Sequence, residues 1–143
     1  MKVTKNVPVL LAMLALLVMS LACSLFSGGS KEMSLENLRM ALDEGGNYPT
    51  TEFSSSDIFY IVGDLKNAPA GTVVEAKWLA MQIEGYSPGE LIYEQAINDF
   101  TDESFNGTIY FELSNDAGWV AGEYKADVYL DGAFVESVPF SVR

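Results

Sequence analysis

Residues 123–142, EYKADVYLDGAFVESVPFSV, contain the pattern that decides the fold. Apolar and polar residues alternate over Glu123–Leu130, which is typical of a β-strand with one buried face. Asp131-Gly132 follows, and this dipeptide favours a two-residue hairpin turn because both of its positions need positive φ. The alternation resumes over Ala133–Val142, where Pro139 lies on the opposite face and favours an edge strand or a bulge. The segment therefore predicts a β-hairpin.

The same period of two recurs upstream and predicts further strands. These strands cover Asp57–Leu65, Thr72–Ile83, Leu91–Ile97 and Gly107–Leu113. Asp57–Leu65 is apolar on both faces, which is expected of a strand that is covered on both sides. The alternation in Thr72–Ile83 blurs after Trp78, which indicates either a bulge or a strand that passes from one sheet to another.

Residues 35–42 are compatible with two kinds of secondary structure. Leu35, Leu38 and Leu42 have the spacing of a helix face, whereas Leu38, Met40 and Leu42 alternate as in a strand. We predict a strand here because strands dominate the rest of the chain. The resulting set of about seven short strands, separated by turn residues, is the pattern of an antiparallel β-sandwich.

Residues 118–132, GWVAGEYKADVYLDG, resemble the E to G strand region of immunoglobulin-like (Ig-like) and fibronectin-like sandwiches. Tyr124 corresponds to the tyrosine whose hydroxyl ties down the corner before the sixth strand of that fold, and Trp78 resembles its core tryptophan. Ala126 stands where antibody domains carry a cysteine, so no disulfide joins the sheets. The resemblance implies an all-β, antiparallel Ig-like β-sandwich of about seven strands over residues 33–143.

The N-terminus has the layout of a secretory signal peptide. Lys2 and Lys5 precede an uncharged apolar run over residues 7–21. The following segment, Ser20-Leu21-Ala22-Cys23, resembles the lipobox of bacterial lipoproteins, and this resemblance implies that Cys23 is lipidated and that the chain is cleaved before it. An uncleaved signal anchor, or an ordinary signal peptide with a chance cysteine, is the alternative.

This layout divides the chain into three parts. Residues 1–22 are predicted to be a lipoprotein signal peptide, residues 23–32 the lipidated Cys23 with a flexible Gly/Ser-rich tether, and residues 33–143 the Ig-like domain. The expected location is therefore outside the cell's cytoplasm. The protein would be exported and lipid-anchored, either to the outer side of the cytoplasmic membrane or to the outer membrane.

Composition excludes several classes of function. Residues 23–143 carry 20 Asp and Glu against six Lys and Arg, a net charge of −14, so the chain lacks the basic footprint of a nucleic-acid binder. The chain has no histidine, which excludes Ser-His-Asp and Cys-His catalysis and histidine-bound metals. We therefore predict a protein that is not an enzyme and that needs no cofactor.

Acidic side chains leave two weaker chemical alternatives open. Asp99, Asp102 and Glu103 lie close together in sequence and could serve a carboxylate-using hydrolase. Loops 98–107 and 114–118 offer oxygen ligands that suit calcium, but neither has the spacing of a defined calcium loop. We interpret both loops as solvated surface loops, and no metal site is predicted.

Aromatic residues are frequent and could include an exposed platform for a sugar or a protein. The candidates are Tyr48, Tyr60, Tyr86, Tyr93, Tyr110, Tyr129 and Trp119. Tyr110 and Tyr129 are the preferred binding-surface residues, because their strand neighbours are predicted to point inward. Trp119 is predicted instead to plug the end of the core.

These observations predict a lipid-anchored cell-envelope protein with a non-catalytic binding or interaction module. Its contact surface would be the sheet face bearing Tyr110 and Tyr129, or the loops at one end of the domain, and its partner an unknown protein or glycan. Two alternatives stay open. One is a structural or accessory subunit of an envelope complex, and the other is a calcium-dependent or carboxylate-using hydrolase.

Overall fold

Eight β-strands and no helix form the part of the chain described by the computed structural model, which covers Gly29 and residues 31–143. The strands are β1 (Ser34–Ala41), β2 (Glu52–Phe53), β3 (Phe59–Ala68), β4 (Val74–Ile83), β5 (Glu90–Ile97), β6 (Phe105–Leu113), β7 (Gly122–Leu130) and β8 (Ala133–Val142). The chain divides after Lys31, and Glu32–Arg143 forms one compact unit. The predicted signal peptide (1–22) and Cys23 lie outside the described residues.

The strands form two sheets around one core. β3 is the centre of a three-stranded sheet between β1 and β6, and the five-stranded sheet has the order β2, β8, β7, β4, β5. All neighbours are antiparallel except β2 and β8, which run parallel. All seven predicted strands are present. The two-residue β2 is the eighth, and it is too short to show an alternation in the sequence.

The core consists of the residues that the alternation points inward. Trp78 of β4 is 1 % exposed and meets the ring of Phe140 edge-on, with 6.1 Å between ring centroids. Phe59 of β3 is fully buried opposite them. The expectation that Trp78 is the core tryptophan is thus confirmed, and the core is closed by aromatic packing between the sheets.

The C-terminal hairpin has the predicted turn. Asp131 and Gly132 both have positive φ, 49° and 79°. Asp131 also fixes the turn to the neighbouring loop, because its backbone N–H donates to the Val73 carbonyl at 2.8 Å and its carboxylate accepts from the Val73 N–H at 2.8 Å. Pro139 pairs with Lys125 of β7, and β8 is not an edge strand, because the short β2 pairs with it at Ser141 and Val142. Pro139 lies outside the two positions of β8 that pair with β2, so its missing N–H breaks none of those pairings.

Residues 34–41 form a strand, which settles the choice between helix and strand. A bulge separates Glu36 from Arg39 in the pairing with β3, and Asn37 in this bulge has a φ of 54°. The Asn37 side chain donates to the Asp64 carboxylate at 2.9 Å. The extra residue shifts the alternation between Leu35 and Met40, which explains why the sequence also fits a helix.

A bulge also explains the blurred pattern in β4. The pairing with β7 shifts between Ala80 and Gln82, so Met81 is the extra residue. Ile83 therefore returns to the core side, where it is 7 % exposed. The alternative of a strand shared between two sheets is wrong, since β4 belongs to the five-stranded sheet alone.

Candidate functional site

Tyr110 and Tyr129, the two preferred binding residues, lie on different sheets. Tyr110 is on the outer face of β6, 40 % exposed, in the three-stranded sheet. Tyr129 is on β7 of the five-stranded sheet, where it packs against Phe134 with 5.7 Å between ring centroids and lies 5.1 Å from the Lys77 ammonium. The prediction that one sheet face bears both tyrosines is wrong, because the sequence cannot say which strands share a sheet.

Carboxylates surround Tyr110. The negative charge of Glu44 raises the pKa of Tyr110. The ring of Tyr60 lies 6.0 Å from that of Tyr110, and burial followed by the charge of Glu112 raises the pKa of Tyr60. A phenol beside carboxylates keeps its proton, so this face offers hydroxyl donors on a negatively charged background.

The acidic loops do not converge. Within the described residues, no three Asp, Glu, His or Cys side chains come close enough to hold a metal ion. Asp99, Asp102 and Glu103 are all exposed on the β5–β6 connection. This arrangement offers no support to the hydrolase or the calcium alternative.

No helix among the described residues is long and apolar enough to cross a membrane.

A solvent-accessible groove, here called the edge groove, lies between β5 and the end of β6. Its volume is about 500 Å³, within the range of ligand sites in proteins. It is lined by Tyr86, Ile92, Tyr93, Gln95, Glu112, Leu113, Ser114, Asn115, Trp119, Val120 and Tyr124. Three of these are exposed large apolar side chains: Tyr86, Tyr93 and Val120, at 44 %, 52 % and 47 %. Exposed aromatic side chains and a concave surface therefore occur together in the edge groove.

The groove arises because the two sheets differ in width. Tyr93 pairs with Trp78 and Gln95 with Ala76, so both face the core side of the five-stranded sheet. β5 is the edge strand of that sheet, and the three-stranded sheet ends at β6. Tyr93 therefore points toward the interior yet stays half exposed, since no fourth strand beyond β6 covers it within the described chain.

Gln95 connects the two sheets at the floor of the groove. Its side-chain oxygen accepts from the Trp78 indole N–H at 2.9 Å, and its side-chain N–H donates to the Glu112 carbonyl of β6 at 2.9 Å. One amide thus satisfies a buried donor in β4 and a carbonyl at the edge of β6. Gln95 thereby links the two sheets and satisfies the buried indole N–H of Trp78.

The corner before β7 forms the wall at one end of the groove. The Tyr124 hydroxyl donates to the Val120 carbonyl at 2.6 Å, which confirms that this tyrosine ties down the corner. Burial raises the pKa of Tyr124. Trp119 stacks on Phe59 with 4.5 Å between ring centroids, and its indole N–H donates to the Asp57 carbonyl at 3.0 Å. Trp119 therefore closes the end of the core as predicted, and its remaining surface also lines the groove.

The groove carries no positive charge. The described residues that line it include Glu112 but no Lys or Arg. Sequence reasoning included Tyr86 and Tyr93 among possible platform residues but did not select them. The weak alternation of Leu91–Ile97 concealed which face Tyr93 occupies, because a bulge falls between its pairing with Trp78 and the pairing of Leu91 with Leu79.

Solved structures share this architecture. An immunoglobulin-like protein from Pseudomonas aeruginosa aligns with 81 % of this chain and 100 % of its own, with a TM-score of 0.51 and 15 % identity. The alkylpurine DNA glycosylase AlkC from Pseudomonas fluorescens, bound to DNA containing an abasic site analogue, aligns with 90 % of this chain at a TM-score of 0.51 and 16 % identity. The alignment spans only 33 % of the glycosylase. No protein-family model and no curated protein matches the sequence.

These likenesses concern the fold alone. They confirm the predicted class: the described chain is an all-β, Ig-like sandwich of two sheets, with no cysteine and hence no disulfide in residues 31–143.

Proposed function

We propose that this protein is a lipid-anchored, non-catalytic binding module of the bacterial cell envelope, and that it binds its partner in the edge groove. The main support for this proposal is the edge groove. Its exposed Tyr86 and Tyr93 line a cavity of about 500 Å³. Aromatic side chains with a polar tip are the usual anchors of binding sites, because they bury a large area at little loss of rotamer freedom.

Hydrogen bonding in the groove supports a binding role rather than catalysis. The amide of Gln95 is engaged by Trp78 and Glu112, and Asn115 donates to the Gly118 carbonyl at 2.7 Å. The Tyr124 hydroxyl holds the Val120 carbonyl. These groups are committed to the fold, so they do not supply the nucleophile, base and oxyanion donors that a catalytic site assembles.

Glu32, the first residue of the compact unit, lies far from the groove. The Glu32 carbonyl accepts from the Asn67 side chain at 3.1 Å, next to Ala68, which pairs with Phe105 at the start of β6. The groove lies at the other end of β6, beside Leu113. Nine strand residues span about 30 Å. The groove and Glu32 therefore lie at opposite ends of β6.

Lipid anchoring is tested by replacing Cys23 with Ala. We expect the variant to leave the membrane fraction, because acyl chains on Cys23 would be the membrane contact of a domain with net charge −14. The measurement is fractionation of the full chain expressed in a bacterial host, with mass spectrometry of residue 23. Retention of the variant in membranes would instead favour an uncleaved apolar segment over residues 7–21.

Binding in the groove is tested by replacing Tyr93 with Ala. We expect recovery of the partner in a crosslinking pull-down from solubilised envelopes to fall by about tenfold, as for loss of an aromatic anchor. Phe134→Ala is the matched control, since Phe134 is 58 % exposed and Tyr93 is 52 % exposed. Equal recovery with both variants would show that the partner does not use the groove. Loss with Phe134→Ala alone would place the contact beside Tyr129.

A further inference from the structure

The three-stranded sheet has two strands fewer than the five-stranded sheet that it faces. This difference suggests what the groove accommodates. The inward faces of Tyr93 and Gln95 on β5 lie opposite the position that a fourth strand, added beyond β6, would occupy. β6 has β3 as its one strand neighbour in the described chain, so its other edge presents unpaired backbone groups. Such an edge is a template for an incoming extended segment.

The backbone groups on this free edge can be identified. The Glu112 carbonyl accepts from the side chain of Gln95 in the facing sheet, so we take it to point to the free side of β6. In an antiparallel strand, alternate residues direct their N–H and C=O to the same side. Tyr110 and Thr108 therefore also present their backbone groups at this edge. The Gln95 amide occupies the last of these acceptors and leaves the others available.

Charge around the edge selects for a basic segment. An added strand would have its outward side chains beside Tyr110 and Glu112, where the charge of Glu44 also acts on the Tyr110 phenol. Its inward side chains would cover Tyr93. The described groove lining has no Lys or Arg, and residues 31–143 carry a net charge of −14. Potentials of opposite sign favour association, whereas an acidic segment would be repelled.

We propose that the edge groove accepts an extended, basic segment of a partner protein, which pairs with the free edge of β6 as a fourth strand. Apolar residues of this segment face Tyr93, and the alternating Lys or Arg residues face Glu112 and Glu44. The proposal rests on the proposed function, since it names the partner class for the same groove. It predicts a specific sequence pattern in the ligand, which is alternation of apolar and basic residues.

The test uses a random octapeptide library displayed on phage, selected against the full-length protein and counter-selected against Tyr93→Ala. We expect the enriched peptides to alternate apolar residues with Lys or Arg. A synthetic copy of the dominant peptide should bind more weakly as salt is raised. Hydrogen exchange should slow at the Tyr110 amide, because that N–H gains a strand partner.

Charge reversal gives a matched pair of variants. Glu112→Lys and Glu136→Lys change the net charge by the same amount, and both residues are exposed. We expect Glu112→Lys to weaken binding of the dominant peptide by about tenfold or more, and Glu136→Lys, on β8, to change it by less than about twofold. Equal effects of the two variants would show a nonspecific charge attraction and overturn the proposal.

Other outcomes separate this inference from the proposed function. If no groove-dependent peptide is enriched, or if the enriched peptides carry no basic residues, the inference is wrong. If instead chitohexaose or cellohexaose perturbs the Trp119 fluorescence of wild type and not of Tyr93→Ala, the groove is a glycan site. In that case the proposed function stands and the basic-segment inference fails. Only a pull-down that is insensitive to Tyr93 would contradict the function itself.

Discussion

Replacement of Phe59 by Ala is expected to lower the free energy of unfolding by about 3–5 kcal/mol, the range for loss of a buried phenylalanine ring. Phe59 is fully buried. Its ring centroid lies 4.9 Å from those of Phe53 and Phe140 and 4.5 Å from that of Trp119. These neighbours belong to the facing five-stranded sheet and to the corner loop, so they cannot close the cavity by moving one side chain. Urea denaturation of the purified protein, monitored by Trp fluorescence, measures the change.

The control for this prediction is Phe134→Ala. Phe134 is 58 % exposed on β8, and its loss should change stability by less than about 1 kcal/mol. A Phe59→Ala protein as stable as Phe134→Ala would contradict a core centred on Phe59. Phe59 also stacks on Trp119, which lines the groove. If Phe59→Ala folds, Trp119 should therefore become more mobile and more accessible to fluorescence quenchers.

Replacement of Gly122 by Ala is expected to cost about 3 kcal/mol or more, because strained φ and steric overlap act together. Gly122 begins β7 with a φ of 151°, a conformation that side chains with a Cβ rarely adopt. A Cβ at this position would overlap the backbone carbonyl oxygen of Gln82 on β4. The obstacle is backbone, so it cannot rotate away. The same denaturation experiment measures the loss.

Gly132→Ala is the control for this effect. It introduces backbone strain without steric overlap, so the difference between the two variants measures the overlap. Gly132 also has a positive φ, 79°, but a Cβ there would meet no atom within 4 Å. Its replacement should cost about 1–2 kcal/mol, the strain of a left-handed conformation alone. If the two glycine variants were equally stable, close approach of β7 to β4 at Gly122 would not be the cause.

Local patterns predicted the strands and several side-chain roles. The alternation of residues 123–142 predicted the hairpin, and the positive φ values of Asp131 and Gly132 match its turn residues. The pattern around Tyr124 predicted a tied-down corner, which the hydrogen bond to the Val120 carbonyl confirms. These features succeed because their physical causes act over a few residues. Turn geometry, pleat alternation and a corner bond need no knowledge of distant segments.

The candidate site could not be predicted in the same way. Tyr93 became a groove residue because β5 is an edge strand and the facing sheet has only three strands. Nothing in the residues around Tyr93 encodes that difference in width. Tyr110 and Tyr129 show the converse error, since both satisfy the local rule for an outward position but belong to different sheets. Tyr110 lies instead on β6, whose free backbone edge borders the edge groove.

Strand content, the hairpin turn, the core tryptophan and the acidic charge follow from the amino-acid sequence, because each depends on short-range periodicity or on composition. Long-range pairing sets which strands share a sheet, which edge stays open and where Gln95 connects the sheets. Those properties depend on pairings between residues far apart in the chain, such as Trp78 with Tyr93 and Phe59 with Leu113. The edge groove is a product of such pairings, since it exists where one sheet extends past the other.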